Sequence, residues 1–123
     1  MKYDFSSLEK AQETLKDILK QPLNEYIRDG AIQRFEYTFE LSWKFLQRVL
    51  KDQGQVTGSP QQVLRSAHQA GLIDQLDTWF EFLKSRNLSV HTYDQRVANE
   101  VFESAKKFPP FVDKLLNTLK KLP

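Results

Sequence analysis

Residues 24–53 read NEYIRDGAIQRFEYTFELSWKFLQRVLKDQ, and the spacing of their apolar side chains decides the fold class. Ile27, Ala31, Phe35, Thr38, Phe39, Ser42, Phe45, Leu46, Val49 and Leu50 recur along one broad stripe at the three- and four-residue steps of an α-helix, not the two-residue step of a strand. An unbroken helix from Asn24 to about Gln53 would be about 45 Å long. That exceeds the diameter a small globule needs, so the segment is expected to span the full height of a helical bundle. Gly54 is placed to end it, because glycine accepts the left-handed backbone that closes a helix.

Working outward, Ser6-Ser7-Leu8-Glu9 has the form of a capping box with Ser6 as the cap. It opens a helix to about Lys20 with Leu8, Ala11, Leu15, Ile18 and Leu19 on one face. Ser59-Pro60-Gln61-Gln62 combines a cap serine, a proline at the first helical position and a glutamine that can complete the box. The short helix that follows carries Val63, Leu64, Ala67 and Ala70 and closes at Gly71. A fourth helix is expected from near Asp74 through Leu76, Trp79, Phe80, Phe82 and Leu83, and Thr92-Tyr93-Asp94-Gln95 opens a last one. Pro109-Pro110 removes helical donors and disfavours helical geometry in the residue before it, which predicts a kink or short break near Phe108. The stripe then resumes through Phe111, Val112, Leu115, Leu116 and Leu119. Together these segments predict one all-α domain over residues 1–123, an antiparallel up-and-down bundle of four main helices and a short one.

Composition bounds the function. A chain of 123 residues is the size of one ordinary domain. Zero cysteines exclude a disulfide scaffold, thiolate catalysis and Cys-ligated metal, and agree with a reducing, cytoplasmic setting. Eighteen Lys and Arg stand against sixteen Asp and Glu, a net charge of +2 that is too small to mark a nucleic-acid binder by its overall field. No apolar run approaches the roughly 20 residues needed to cross a bilayer. Glycine-rich phosphate loops, paired-histidine metal motifs and nucleophile elbows are absent, so no metal or cofactor is called for.

The unusual stretch is Ser85-Arg86-Asn87-Leu88-Ser89-Val90-His91-Thr92-Tyr93-Asp94, polar and titratable between two strongly helical segments. On an unbroken helix Arg86 and His91 would be separated by about 140°. An unwinding near Asn87 with a restart near Thr92 would turn both toward one cleft. Histidine exchanges a proton near neutral pH, and a guanidinium grips phosphate with paired donors. The competing reading makes His91 a cap or hydrogen-bonding filler and Arg86 a cation placed favourably at a helix C-terminus. Glu36 and Glu40, four apart, could bind a cation or pair with Arg34, Lys44 or Lys51. His68 stands alone on a short helix. Trp43 and Trp79 fit core packing or a subunit contact. Lys106, Lys107, Lys114, Lys120 and Lys121 fit a solvated face better than an RNA track.

Arg28 to Lys44, followed by Ser59-Pro60, Ala70-Gly71-Leu72-Ile73 and Arg86-Asn87-Leu88 through His91-Thr92-Tyr93-Asp94, resembles the nucleotidyltransferase substrate-binding protein family, a branch of the HEPN superfamily that includes HepT-type toxins. The resemblance runs from about Phe5 to Leu119. It implies an antiparallel helical bundle, a homodimer, and a minimal nucleotidyltransferase as partner. Many HEPN proteins are metal-independent endoribonucleases with an Arg-x4-6-His motif, extended in the HepT form to Arg-x4-His-x-Tyr, and Arg86, His91 and Tyr93 match it. By resemblance, Arg86 holds or polarises the scissile phosphate, His91 moves the proton of the attacking 2′-hydroxyl or leaving oxygen, and Tyr93 is the residue that the partner adenylylates to silence the toxin. A packed first-turn aromatic is the structural alternative for Tyr93. The rival function, which the family's name implies, is a non-catalytic subunit that presents substrate to the nucleotidyltransferase.

Overall fold

The periodic segments become helices wherever the sequence places them, and their ends show which local signals prevail. The computed structural model describes residues 3–123, and no strand occurs among them. The helices are α1 (Ser6–Leu19), α2 (Glu25–Asp52), α3 (Pro60–Gln69), α4 (Leu76–Leu88), α5 (Gln95–Lys107) and α6 (Pro109–Lys120), with a 3-10 turn, Ser89–His91, closing α4. Where the sequence reading has four main helices and a short one, the structure has six, because the break at Phe108 separates α5 from α6. The long α2 is the central element, packed against α1, α3, α4 and α5, while α6 lies on α1 and α5.

Side-chain caps start three of the helices, α2, α3 and α5. Asn24 accepts the Ile27 amide at 2.9 Å and starts α2, and Gly54, at φ +88°, follows its last turn. Ser59 and Gln62 form the reciprocal box expected for α3. One expected cap differs. At α1 the cap position is Phe5, and Ser6 lies inside the helix with its amide 2.9 Å from the Asp4 Oδ1. Phe5 is 3% exposed and packs 5.2 Å from the Phe45 ring, so burying an aromatic moves the helix start one residue earlier than the serine pattern indicates. That amide holds the Asp4 carboxyl below its ordinary range. At α4 the Asp74 carboxylate pairs with Lys114 of α6, which lowers its pKa, and the helix begins at Leu76 after Gln75 takes a left-handed turn.

The core is organised around Phe108, which is fully buried. Its ring lies 4.8 Å from Phe82, 5.2 Å from Phe35, 5.6 Å from Trp79 and 5.9 Å from Phe39, mostly edge to face. Pro109 and Pro110 have no amide hydrogen for the carbonyls of Ala105 and Lys106, so the ladder stops there as expected. Phe108 nevertheless keeps helical geometry, φ −72° and ψ −39°, against the usual bias of a residue before proline. Four aromatic neighbours hold it in that conformation. On the other side of the break, Gln12 of α1 donates to the Pro109 carbonyl at 2.7 Å, and Lys16 pairs with Asp113 at 2.8 Å.

Two further contacts set the helix register. Arg28, at the start of α2, is 8% exposed and donates to Gln95 at 2.7 Å and Asn99 at 3.2 Å on α5, with Asp29 beside it at 3.1 Å. This clamp ties the first turns of α5 to the start of α2. Gly30 lets α1 approach α2: a β-carbon there would stand 2.5 Å from the Ile18 Cδ1.

The packing makes stability sensitive at two positions. Phe108→Ala should lower unfolding free energy by about 3–5 kcal/mol, read from urea denaturation. Gly30→Ala should be stabilising by about 0.5–1 kcal/mol in an Ile18→Val background, where the clashing methyl is gone, and markedly less favourable with Ile18 intact. Equal effects in both backgrounds would contradict the close approach.

Candidate functional site

The polar stretch between α4 and α5 folds by satisfying its own backbone. The Ser89 hydroxyl donates to the Arg86 carbonyl at 2.6 Å, the Thr92 hydroxyl to the Ser89 carbonyl at 3.2 Å, and the Asp94 amide to the His91 carbonyl at 3.1 Å. These bonds take up carbonyls that a helix end leaves open, so the chain tightens into a 3-10 turn. The α-helix ends at Leu88, one residue past Asn87, but it tightens instead of unwinding. Asn87 lies within α4, helical turns continue to His91, and the restart comes at Asp94, whose carboxylate accepts the Arg96 amide at 2.9 Å.

This geometry separates the three motif side chains into two groups. His91 and Tyr93 come together, the Nδ1 atom 3.2 Å from the phenol oxygen and the rings 5.9 Å apart, edge to face. Both are exposed, Tyr93 to 81%, so His91 is no core filler and Tyr93 does not pack on a neighbouring helix. His91 lies at the edge of an open groove of about 420 Å3 floored by Phe80, Leu83 and Leu88 and flanked by Lys84 and Asn87.

Arg86 turns instead toward α2. Its Nε donates to the Glu40 Oε1 at 2.8 Å, and the Trp43 indole donates to the other oxygen of Glu40 at 3.2 Å. Arg86 and Glu40 are each about 30% exposed. The pairing uses Nε alone, and the terminal amino groups of Arg86 carry no hydrogen bond among the described residues. No hydrogen bond joins Arg86 to His91 or Tyr93 among the described residues. A five-residue separation on continuing helix accounts for that.

Glu40 is the residue that sequence reasoning misplaces. It is weighed there as a metal ligand or a partner of nearby Arg34, Lys44 or Lys51, whereas its partner comes from another helix 46 residues away. Both of its oxygens are engaged, and no cluster of three or more metal-ligating side chains occurs among the described residues. The other candidates lie apart from this site. Trp79 is buried beside Phe39 and Phe108, His68 is exposed on α3, and Lys106, Lys114 and Lys120 pair with Glu103, Asp74 and Glu9. No helix among the described residues is long and apolar enough to cross a membrane.

Comparison with known proteins agrees with this architecture. A solved structure from Thermus thermophilus superposes with a TM-score of 0.86 at 35% identity, covering 93% of this chain and 99% of that one. A Haemophilus influenzae structure, described as revealing the fold of a substrate binding domain of a nucleotidyltransferase, superposes with a TM-score of 0.85 at 28% identity, covering 96% and 100%. A curated relative from Haemophilus influenzae, named "Probable ribonuclease HepT", is 36% identical over 84 residues, which is 64% of this chain and 58% of that protein. The matched region therefore spans a little over half the length of that relative. The family model described as "Nucleotidyltransferase substrate binding protein like" matches residues 3–121. With almost its whole length matched and the same helical fold, the chain belongs to the nucleotidyltransferase substrate-binding protein family.

Proposed function

We propose that this protein is a cytoplasmic, HEPN-type endoribonuclease toxin, an antiparallel bundle acting as a homodimer and neutralised by a minimal nucleotidyltransferase. The observation that carries the reading is the exposed His91–Tyr93 pair at the end of α4, 3.2 Å apart on an open groove. An exposed imidazole beside Lys84 can move protons at a bound phosphodiester. His91 takes the proton of a ribose 2′-hydroxyl, the 2′-oxygen attacks phosphorus, and the bond to the 5′-oxygen breaks, that oxygen taking a proton from water, to leave a cyclic phosphate and a 5′-hydroxyl. The free terminal amino groups of Arg86, from either subunit, stabilise charge on the phosphate. Glu40 holds that guanidinium by its Nε and keeps the fork oriented.

Regulation uses the same contact. The Tyr93 oxygen attacks the α-phosphate of ATP on the partner enzyme, pyrophosphate leaves, and a tyrosyl adenylate remains. The added phosphate and base lie beside the imidazole and block RNA by charge and bulk. The name of the curated relative supports the ribonuclease reading. The Arg86–Glu40 pair is equally compatible with a second reading, a non-catalytic subunit presenting substrate to the nucleotidyltransferase, because an arginine held on α2 serves binding as well as chemistry.

Purified protein should cut RNA in the presence of EDTA, and His91→Ala should lower the rate by at least about 100-fold with an unchanged melting temperature. Intact RNA after incubation with folded dimer would favour the second reading. With the cognate nucleotidyltransferase and ATP, mass spectrometry should place adenylate on Tyr93, and Tyr93→Phe should still cut RNA while escaping neutralisation. Adenylate on another residue would remove this account of inhibition.

A further inference from the structure

The face of α2 that carries Glu40 continues as Lys44, Arg48 and Lys51, and these three cations line a groove of about 510 Å3 that no carboxylate lines. None of the three forms an ion pair among the described residues, in contrast to Lys16, Lys106, Lys114 and Lys120. The groove is built. Arg48 is steadied over the Tyr3 ring at 5.4 Å, and Gln47 donates to the Thr57 carbonyl at 3.1 Å, which fixes the opposite wall. Val56 on that wall is 99% exposed.

The groove also leads toward the candidate site. Glu40, one turn before Lys44, binds Arg86, so the stripe starts at the motif arginine and runs about 16 Å along α2. From Thr57 the chain passes directly into the Ser59 cap of α3, and Gln61 in the first turn of that helix lines the groove holding His91.

We propose that the Lys44–Arg48–Lys51 groove binds the sugar–phosphate backbone of a single-stranded RNA whose cleavable phosphate lies at His91. This rests on the ribonuclease reading above and adds where the substrate strand runs. Unpaired cations on a straight stripe suit a polyanion with regularly spaced charges, and each phosphate neutralised releases condensed counterions. A protein partner would need buried apolar anchors at the centre of its interface, and this groove offers Val56 alone. Exposed Val56 suits a ribose or base face on an unpaired strand.

The test measures binding of a 2′-O-methyl single-stranded RNA, which the proposed chemistry cannot cleave, as a function of salt. Replacing all three cations by glutamine should reduce the slope of log affinity against log salt by about 2 and weaken low-salt binding by about tenfold or more. Lys44→Gln with Lys51→Gln, which leaves Arg48 on Tyr3, should give about two-thirds of that change with the wild-type melting temperature, separating lost charge from lost folding. Lys106→Gln with Lys120→Gln should leave the slope where it is. Unchanged binding by the glutamine variants, with RNA still cut by the wild type, would overturn the groove and spare the ribonuclease reading. Full, groove-dependent RNA binding by a wild type that cuts nothing would do the reverse. Loss of nucleotidyltransferase binding with RNA binding intact would assign the groove to the protein partner and overturn the proposal.

Discussion

The burial of Phe108 at the proline break is the constraint on which the rest of the molecule depends. Its ring touches Phe35 and Phe39 of α2 and Trp79 and Phe82 of α4, so one side chain ties the last two helices to the two that carry the candidate site. Edge-to-face aromatic packing has directional preferences as well as area, which makes the cluster selective about how α4 lies on α2. The consequence appears further along α4, where Arg86 meets Glu40. A core that is aromatic at one level thereby positions an ion pair at its edge.

Charge is distributed unevenly over the surface. Several cations outside the candidate site are matched by carboxylates on neighbouring helices, as Lys16 is by Asp113 and Lys120 by Glu9, and such exposed pairs contribute little stability individually. Arg28 is different, because it is buried and donates to two side-chain amides on α5. Removing it would leave Gln95 and Asn99 without their donor at the start of the helix that follows Tyr93. The near-neutral total of +2 conceals the cationic run from Lys44 to Lys51 along one groove. A net charge sums over faces that a ligand meets separately.

The His91–Tyr93 contact links the two side chains of one short turn. Neither is held by the core, and each is the other's hydrogen-bond partner. The phenol oxygen therefore has the imidazole as its immediate neighbour, with no other element of the bundle between them. Arg86 is anchored to α2 instead and has no hydrogen bond to either ring among the described residues.

Much of this was legible along the chain. Helical periodicity and the caps at Asn24 and Ser59 depend on contacts within a few residues, and so does the break at Pro109-Pro110; local sequence determines them because their partners lie within one or two turns. The contact between His91 and Tyr93, by contrast, was legible only in the structure. A local signal fails where another contact competes, as burial of Phe5 displaces the Ser6 cap, while the Ser89 and Thr92 hydroxyls carry helical turns on past the end of α4 to His91. The partner of Arg86, the register set by Arg28 and the bare cationic groove on α2 were decided by tertiary structure alone. Each depends on which helix faces which, and that is settled by packing many apolar side chains at once, a sum that no local pattern encodes.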